Sequence, residues 1–141
     1  MATFTNQATL IYNGQSTSSN VTTGELITGL TLTKTAITNT YAKDGSVTYI
    51  VTISNAGAAV VATDNIVVQD TFNPILNPIT VTLDGSALTD GVDYTYNALT
   101  GDFATTPGVI TVPAATYVQD PVSGVYSMTP GVATLVVSGT V

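Results

Sequence analysis

Cysteine, histidine, tryptophan and arginine are all missing from this 141-residue chain. Without cysteine there is no disulfide, no thiolate metal site and no thiol nucleophile. Without histidine the commonest general base and the commonest metal ligand are gone. Positive charge is almost absent too. Lys34 and Lys43 are the only cations against nine acidic residues, for a net charge of −7. So acidic a chain has no basic patch with which to hold a phosphate backbone or an anionic membrane surface. Charged residues make up only 8% of the sequence, and no apolar run approaches the roughly 18 residues that cross a bilayer. The first six residues have neither the basic nor the apolar region of a signal peptide. The expected destination is extracellular, on a cell or spore surface, reached with a leader already removed or by assembly inside a mother cell that lyses. Together these absences argue against an enzyme, and no cofactor or metal motif stands out.

Apolar residues fill 44% of the chain, too many for a disordered polymer. Thr and Val suit the half-buried, pleated surface of a strand. Gly, Asn, Asp and Pro fall in short clusters between them, as turns do. Residues 3–12 alternate, with Phe4, Asn6, Ala8, Leu10 and Tyr12 on one face. Residues 13–25 are nearly devoid of apolar side chains and read as a flexible linker. The body is expected from Leu26 to Val141. Within it Leu30, Leu32, Lys34 and Ala36 share one face; Val47, Tyr49, Val51 and Ile53 another; Ile66, Val68, Asp70 and Phe72 a third. Ile79–Leu83 and Val132–Val141 alternate likewise, with Asp44-Gly45 and Asp84-Gly85 as hairpin signals. No useful 3.6-residue period occurs. The reading is all-β, an antiparallel two-sheet sandwich of eight to ten short strands.

Three stretches carry a family resemblance: Leu32-Thr33-Lys34-Thr35-Ala36, Asp44 through Gly57 (DGSVTYIVTISNAG), and Ala62 through Phe72 (ATDNIVVQDTF). With Thr129-Pro130-Gly131 ahead of the last strand, residues 30–137 resemble the conserved-repeat surface domain of bacteria known as domain of unknown function eleven. The resemblance implies an immunoglobulin-like module from a secreted or wall-attached protein. It also exposes a departure. The family pattern continues into one more strand, of the form Ile-Thr-Asn-Thr-Ala-Thr-Val, and this chain ends before it. A likeness of that strand lies at the other end, in Phe4-Thr5-Asn6-Gln7-Ala8-Thr9-Leu10, as if the last strand had moved to the front.

A sandwich short of one strand leaves an open sheet edge, which templates pairing with another chain. Residues 13–25 span up to about 45 Å when extended, so residues 3–12 reach either their own body or a neighbour. Donation to a neighbour is strand addition; repeated head to tail it gives a homopolymer that does not close. Lys34, Asp70 and Asn6 each fall on a face that alternation assigns to the core. A buried amine, a buried acid and a carboxamide are the parts of an autocatalytic isopeptide cross-link: desolvation favours the neutral amine nucleophile, and the acid polarises the carboxamide and shuttles protons. A Lys34–Asp70 ion pair with Asn6 merely hydrogen-bonded is the plainer arrangement. Asp84, Asp90, Asp93 and Asp102 read as solvated turn residues, since no calcium-loop spacing is present. The expectation is a structural subunit of a self-assembling surface or spore-appendage filament. The alternative is an adhesin-type binding module from a tandem surface protein.

Overall fold

The computed structural model describes residues 3–25, 29–37 and 40–141. Met1, Ala2 and the expected start of the body at Leu26 lie outside the described residues.

The chain opens with a long hairpin. Strands β1 (Thr3–Asn6) and β2 (Thr9–Tyr12) run out; β3 (Gln15–Ser18) and β4 (Thr22–Glu25) run back. β2 pairs β3 from Tyr12↔Gln15 to Thr9↔Ser18, and β1 pairs β4 from Asn6↔Thr22 to Thr3↔Glu25. Residues 13–25, expected as a linker, are instead the tip and second arm of this hairpin. The cause is Asn13-Gly14. Both take positive φ (49° and 76°), the geometry of a two-residue turn whose twist matches the flanking strands. A polar composition hides the arm because the hairpin has no buried face: every side chain described from Phe4 to Thr23 is exposed. The single strand expected over 3–12 is broken at Gln7-Ala8, where Ser19 takes over: its Oγ accepts from Ala8 N–H at 3.0 Å and its carbonyl from the Gln7 amide at 2.6 Å.

The body is an all-β sandwich. One sheet has five strands: β5 (Leu30–Ala36), β6 (Ser46–Asn55), β8 (Ile79–Leu83), β9 (Ser86–Ala87) and β14 (Gly131–Thr140), in the order β5-β6-β14-β8-β9. The other has three: β7 (Gln69–Thr71), β10 (Tyr94–Tyr96) and β11 (Asp102–Thr105), in the order β10-β11-β7. A separate hairpin, β12 (Thr116–Gln119) with β13 (Tyr126–Thr129), projects with all its residues exposed. All pairing within these sheets is antiparallel.

The core lies between the two sheets. Val47, Val51, Ile53, Val81, Ala133, Leu135 and Val137 point up from the larger sheet, and every second residue of β14 is buried, as a one-sided strand requires. Val68, Phe72, Tyr94 and Phe103 come down from the smaller one, with Leu76, Ile110 and Val112 from loops. Phe72 sits between rings, stacked on Tyr49 (centroids 5.5 Å) and tilted against Phe103 and Tyr96. Val60 and Val112, in apolar stretches that form no regular strand, meet at an isolated antiparallel bridge. Of the Ile66–Phe72 run only Gln69–Thr71 is a regular strand.

One buried amide ties the β5 end of the sandwich together. Asn55, 2% exposed, donates to the carbonyls of Ala58 (2.6 Å) and Pro113 (2.9 Å) and accepts from Gly57 N–H (2.9 Å). Asn55→Ala removes three part-buried hydrogen bonds to the main chain, each worth about 0.5–1.5 kcal/mol net. We expect urea unfolding of the variant to show a loss of roughly 3 kcal/mol. A loss under about 1 kcal/mol would mean that water replaces the amide.

Candidate assembly site

Lys34 lies on β5, opposite Val51 of β6, with Leu32 opposite Ile53 and Ala36 opposite Tyr49. Alternation therefore aims Lys34 at the core side, as the sequence indicates. The side chain is nevertheless not buried: its exposure is 37%, and that of Asp70 is 22%. The buried-amine expectation is corrected for the single chain, and the reason is visible in the sheet count. Five strands face three, so β5 lacks a strand above it. Leu32, on the same inward face, is 58% exposed.

Lys34 Nζ runs over the Tyr49 ring, 4.3 Å from its centroid, and beside the Phe72 ring at 5.0 Å. It ends on Asp70 Oδ2. This is the only ion pair among the described residues. Two aromatic faces hold the ammonium by their quadrupoles while the carboxylate fixes its direction. Asp70 Oδ1 accepts from Thr71 N–H at 2.9 Å, so each carboxylate oxygen has a partner.

β7 pairs β11 on one side only. Phe72 N–H donates to the Gly101 carbonyl and Thr105 N–H to the Val68 carbonyl. By antiparallel alternation the main-chain groups of Gln69 and Thr71 then face the unpaired side. The result is a slot with the inward face of β5 as its floor, through Leu32 and Lys34, and the free edge of β7 as its wall. A strand laid along that edge would cover Leu32 and seal the Lys34–Asp70 pair.

No family model matches this chain, and no curated protein or solved structure matches it. The resemblance noted for residues 30–137 therefore rests on those residues alone.

The structure brings Lys34 and Asp70 together but not Asn6. Asn6 sits on β1 opposite Thr22, exposed, with its main-chain carbonyl accepting from the Thr22 hydroxyl. Phe4, Ala8, Leu10 and Tyr12, the other residues expected on the donor face, are exposed on the same hairpin. Asp84, Asp93 and Asp102 each serve their own neighbourhood, accepting from Thr134 N–H, Thr89 N–H and the Thr71 and Thr100 hydroxyls. The Thr100 and Thr71 hydrogen bonds hold the Asp102 carboxyl below its ordinary range. Whatever stability this adds is present above the unfolded carboxylate's pKa and is lost as pH falls through the folded one. Among the described residues no acidic group forms a metal cluster.

Sequence reasoning missed the aromatic seat of Lys34. Tyr49 and Phe72 were assigned to inward faces of separate strands, and nothing in either strand says that their rings stack. It also missed the β12–β13 hairpin, although Tyr117-Val118 and Tyr126-Ser127-Met128 around Pro121-Val122-Ser123-Gly124 hold a strand–turn–strand signal.

Proposed function

We propose that this chain is the structural subunit of a self-assembling filament on a bacterial cell or spore surface, each copy lending its N-terminal strand to the next. One observation carries the reading: the molecule has a surplus and a deficit that match. Its N-terminal hairpin exposes Phe4, Leu10, Ile11 and Tyr12 and, among the described residues, pairs with no strand of the body. Its sandwich leaves Leu32 and Lys34 of β5 partly exposed beside the unpaired edge of β7. A two-stranded hairpin alone is marginal in water, and an unpaired edge over exposed apolar surface invites an added strand. Each strand of the hairpin keeps one unpaired edge, so β1–β2 can extend the β7 sheet with the hairpin intact. An immunoglobulin-like surface module completed in this way is what the resemblance implies. Because donor and slot are different surfaces, the contact is heterologous and propagates.

The same reading gives Lys34, Asp70 and Asn6 a chemical role. In a filled slot Asn6 of the incoming strand meets Lys34 with water excluded. The amine attacks the carboxamide carbon; a bond from Nζ to Cγ forms, the bond from Cγ to Nδ2 breaks and ammonia leaves. Asp70 takes the amine's proton and passes it to the departing nitrogen, so it ends as it began. The product is an isopeptide bond between subunits.

A second reading, a binding module of adhesin type, is favoured by a groove of about 590 Å³ on the three-stranded sheet, lined among others by Gln69, Thr71, Thr95, Asn97 and Asp102. Electron microscopy of the purified full-length chain separates the two. We expect fibres one subunit wide. Uniform single particles across all concentrations would leave the binding module standing and end the filament reading.

A further inference from the structure

The β12–β13 hairpin has no role in strand donation, yet it exposes Tyr117, Val118, Tyr126 and Met128. Register pairs Tyr117 with Met128 and Gln119 with Tyr126, which places Tyr117, Tyr126 and Met128 on one face. Tyr117 and Tyr126 are 63% and 64% exposed. Such a hairpin gains independent stability only by packing on something. Its base adjoins the root of the N-terminal hairpin: Gly57 accepts from Ala115 N–H, and Gly29 accepts from Ala56 N–H. Both arms therefore leave from the same end of the sandwich.

The opposite end gathers the β5–β6 turn, the loop before β8 and the 97–101 turn. Val141 N–H donates to Gly45, Asn77 N–H to Thr140 and Phe72 N–H to Gly101, which draws these segments together. This end exposes Ile37, Tyr41 and Leu99, the last at 87%. It also carries Lys43, exposed and, among the described residues, in no ion pair. The tip of the β12–β13 arm carries Asp120, whose carboxylate accepts from Val122 and Ser123 N–H at 2.8 and 2.7 Å. The two ends thus pair apolar with apolar and an acid with one of only two cations in the chain.

We propose that the β12–β13 arm docks on the Ile37–Tyr41–Leu99 end of the next copy of this chain, as a second and non-covalent joint beside the donated strand. This rests on the filament reading. Residues 26–29 span at most about 14 Å, so the root of the N-terminal hairpin lies close to the base of the second arm, and a neighbour holding that root lies beside it. The joint is heterologous and extends the same head-to-tail axis.

The test uses the full-length chain and two sets of surface substitutions, Tyr117→Ser with Tyr126→Ser on the arm and Leu99→Ser on the far end. Unchanged circular dichroism and melting show that each variant folds. We expect each set to raise the critical concentration for polymerisation at least tenfold, and the combined variant to be little worse than either, since both remove one contact. Carbodiimide treatment of polymers mixed from light and isotope-labelled chains should give an Asp120–Lys43 bond that joins light to heavy. Wild-type critical concentrations, additive losses in the combined variant, or no light–heavy link at Lys43 would each overturn the proposal. Failure of strand donation reads differently: polymers would then survive deletion of residues 1–25 while still depending on Tyr117 and Tyr126. Absence of any association in the wild-type chain would end both.

Discussion

Deleting residues 1–25 is expected to abolish fibres completely while leaving the sandwich folded. No core residue belongs to the hairpin, and every hairpin side chain described is exposed. Its removal therefore takes nothing from the packing between the sheets. Circular dichroism should keep its β signature, and the melting temperature should stay near that of the full-length chain held below its polymerisation threshold. On the filament reading, the deletion instead removes the segment proposed to fill the uncovered edge over β5. A synthetic peptide of residues 1–25 should then bind the truncated chain and raise its stability by mass action, by about 2.7 kcal/mol at a hundredfold excess over its dissociation constant. The same peptide added to full-length chain should shorten fibres by filling slots. Leu32→Lys, which places a second charge on the slot floor, should weaken peptide binding without unfolding the body, because that position is already exposed. Fibres from the truncated chain, or a peptide without effect on its melting, would remove strand donation from consideration.

The proposed isopeptide bond has an equally large expected effect. Wild-type fibres boiled in detergent should run as a ladder of multimers, each bond making the polymer lighter by one ammonia. Lys34→Ala and Asn6→Ala should each erase the ladder. Mixing these two variants gives the sharper result. The Lys34→Ala chain keeps a competent donor, and the Asn6→Ala chain keeps a competent slot. Only one pairing of the two can react, so the mixture should yield covalent dimers and nothing longer. A bond formed within one chain gives no dimer in that mixture, and a simple ion pair gives no ladder at all. Asp70→Asn should slow the bond by removing the group that moves the proton. It also leaves Lys34 beside two rings without its carboxylate, so the slot itself must be checked by peptide binding.

Much of the body was legible because one-sided strands write their burial into alternate residues. β6, β8 and β14 follow the alternation of Val47–Ile53, Ile79–Leu83 and Val132–Val141 closely. Asp84-Gly85 makes the expected two-residue turn, both residues at positive φ, between β8 and β9; at Asp44-Gly45 only Asp44 takes positive φ, and the turn is centred on Lys43-Asp44 within a longer β5–β6 connection. Legibility failed where burial is absent. β3 and β4 bury nothing, so their sequence reads as linker even though Asn13-Gly14 marks a turn. β12 and β13 project as an exposed hairpin and follow no core pattern. β11 was missed because its four residues, Asp102–Thr105, sit next to a threonine- and proline-rich stretch that reads as loop. At the site, alternation correctly aimed Lys34 and Asp70 at one another's sheet. It misjudged their burial, because whether an inward side chain is covered depends on how many strands the facing sheet has.

The sequence by itself determined that this chain is all-β, with antiparallel strands whose inward faces alternate. Composition and period-two patterning are local properties, and a strand needs only local information to declare its inward face. Tertiary structure alone decided that the larger sheet outruns the smaller, leaving Lys34 half covered between Tyr49, Phe72 and Asp70. It also decided that residues 3–25 pair with one another as a hairpin rather than forming a strand and a linker. Both are matters of which strands find partners, and strand pairing is settled between residues far apart in the chain.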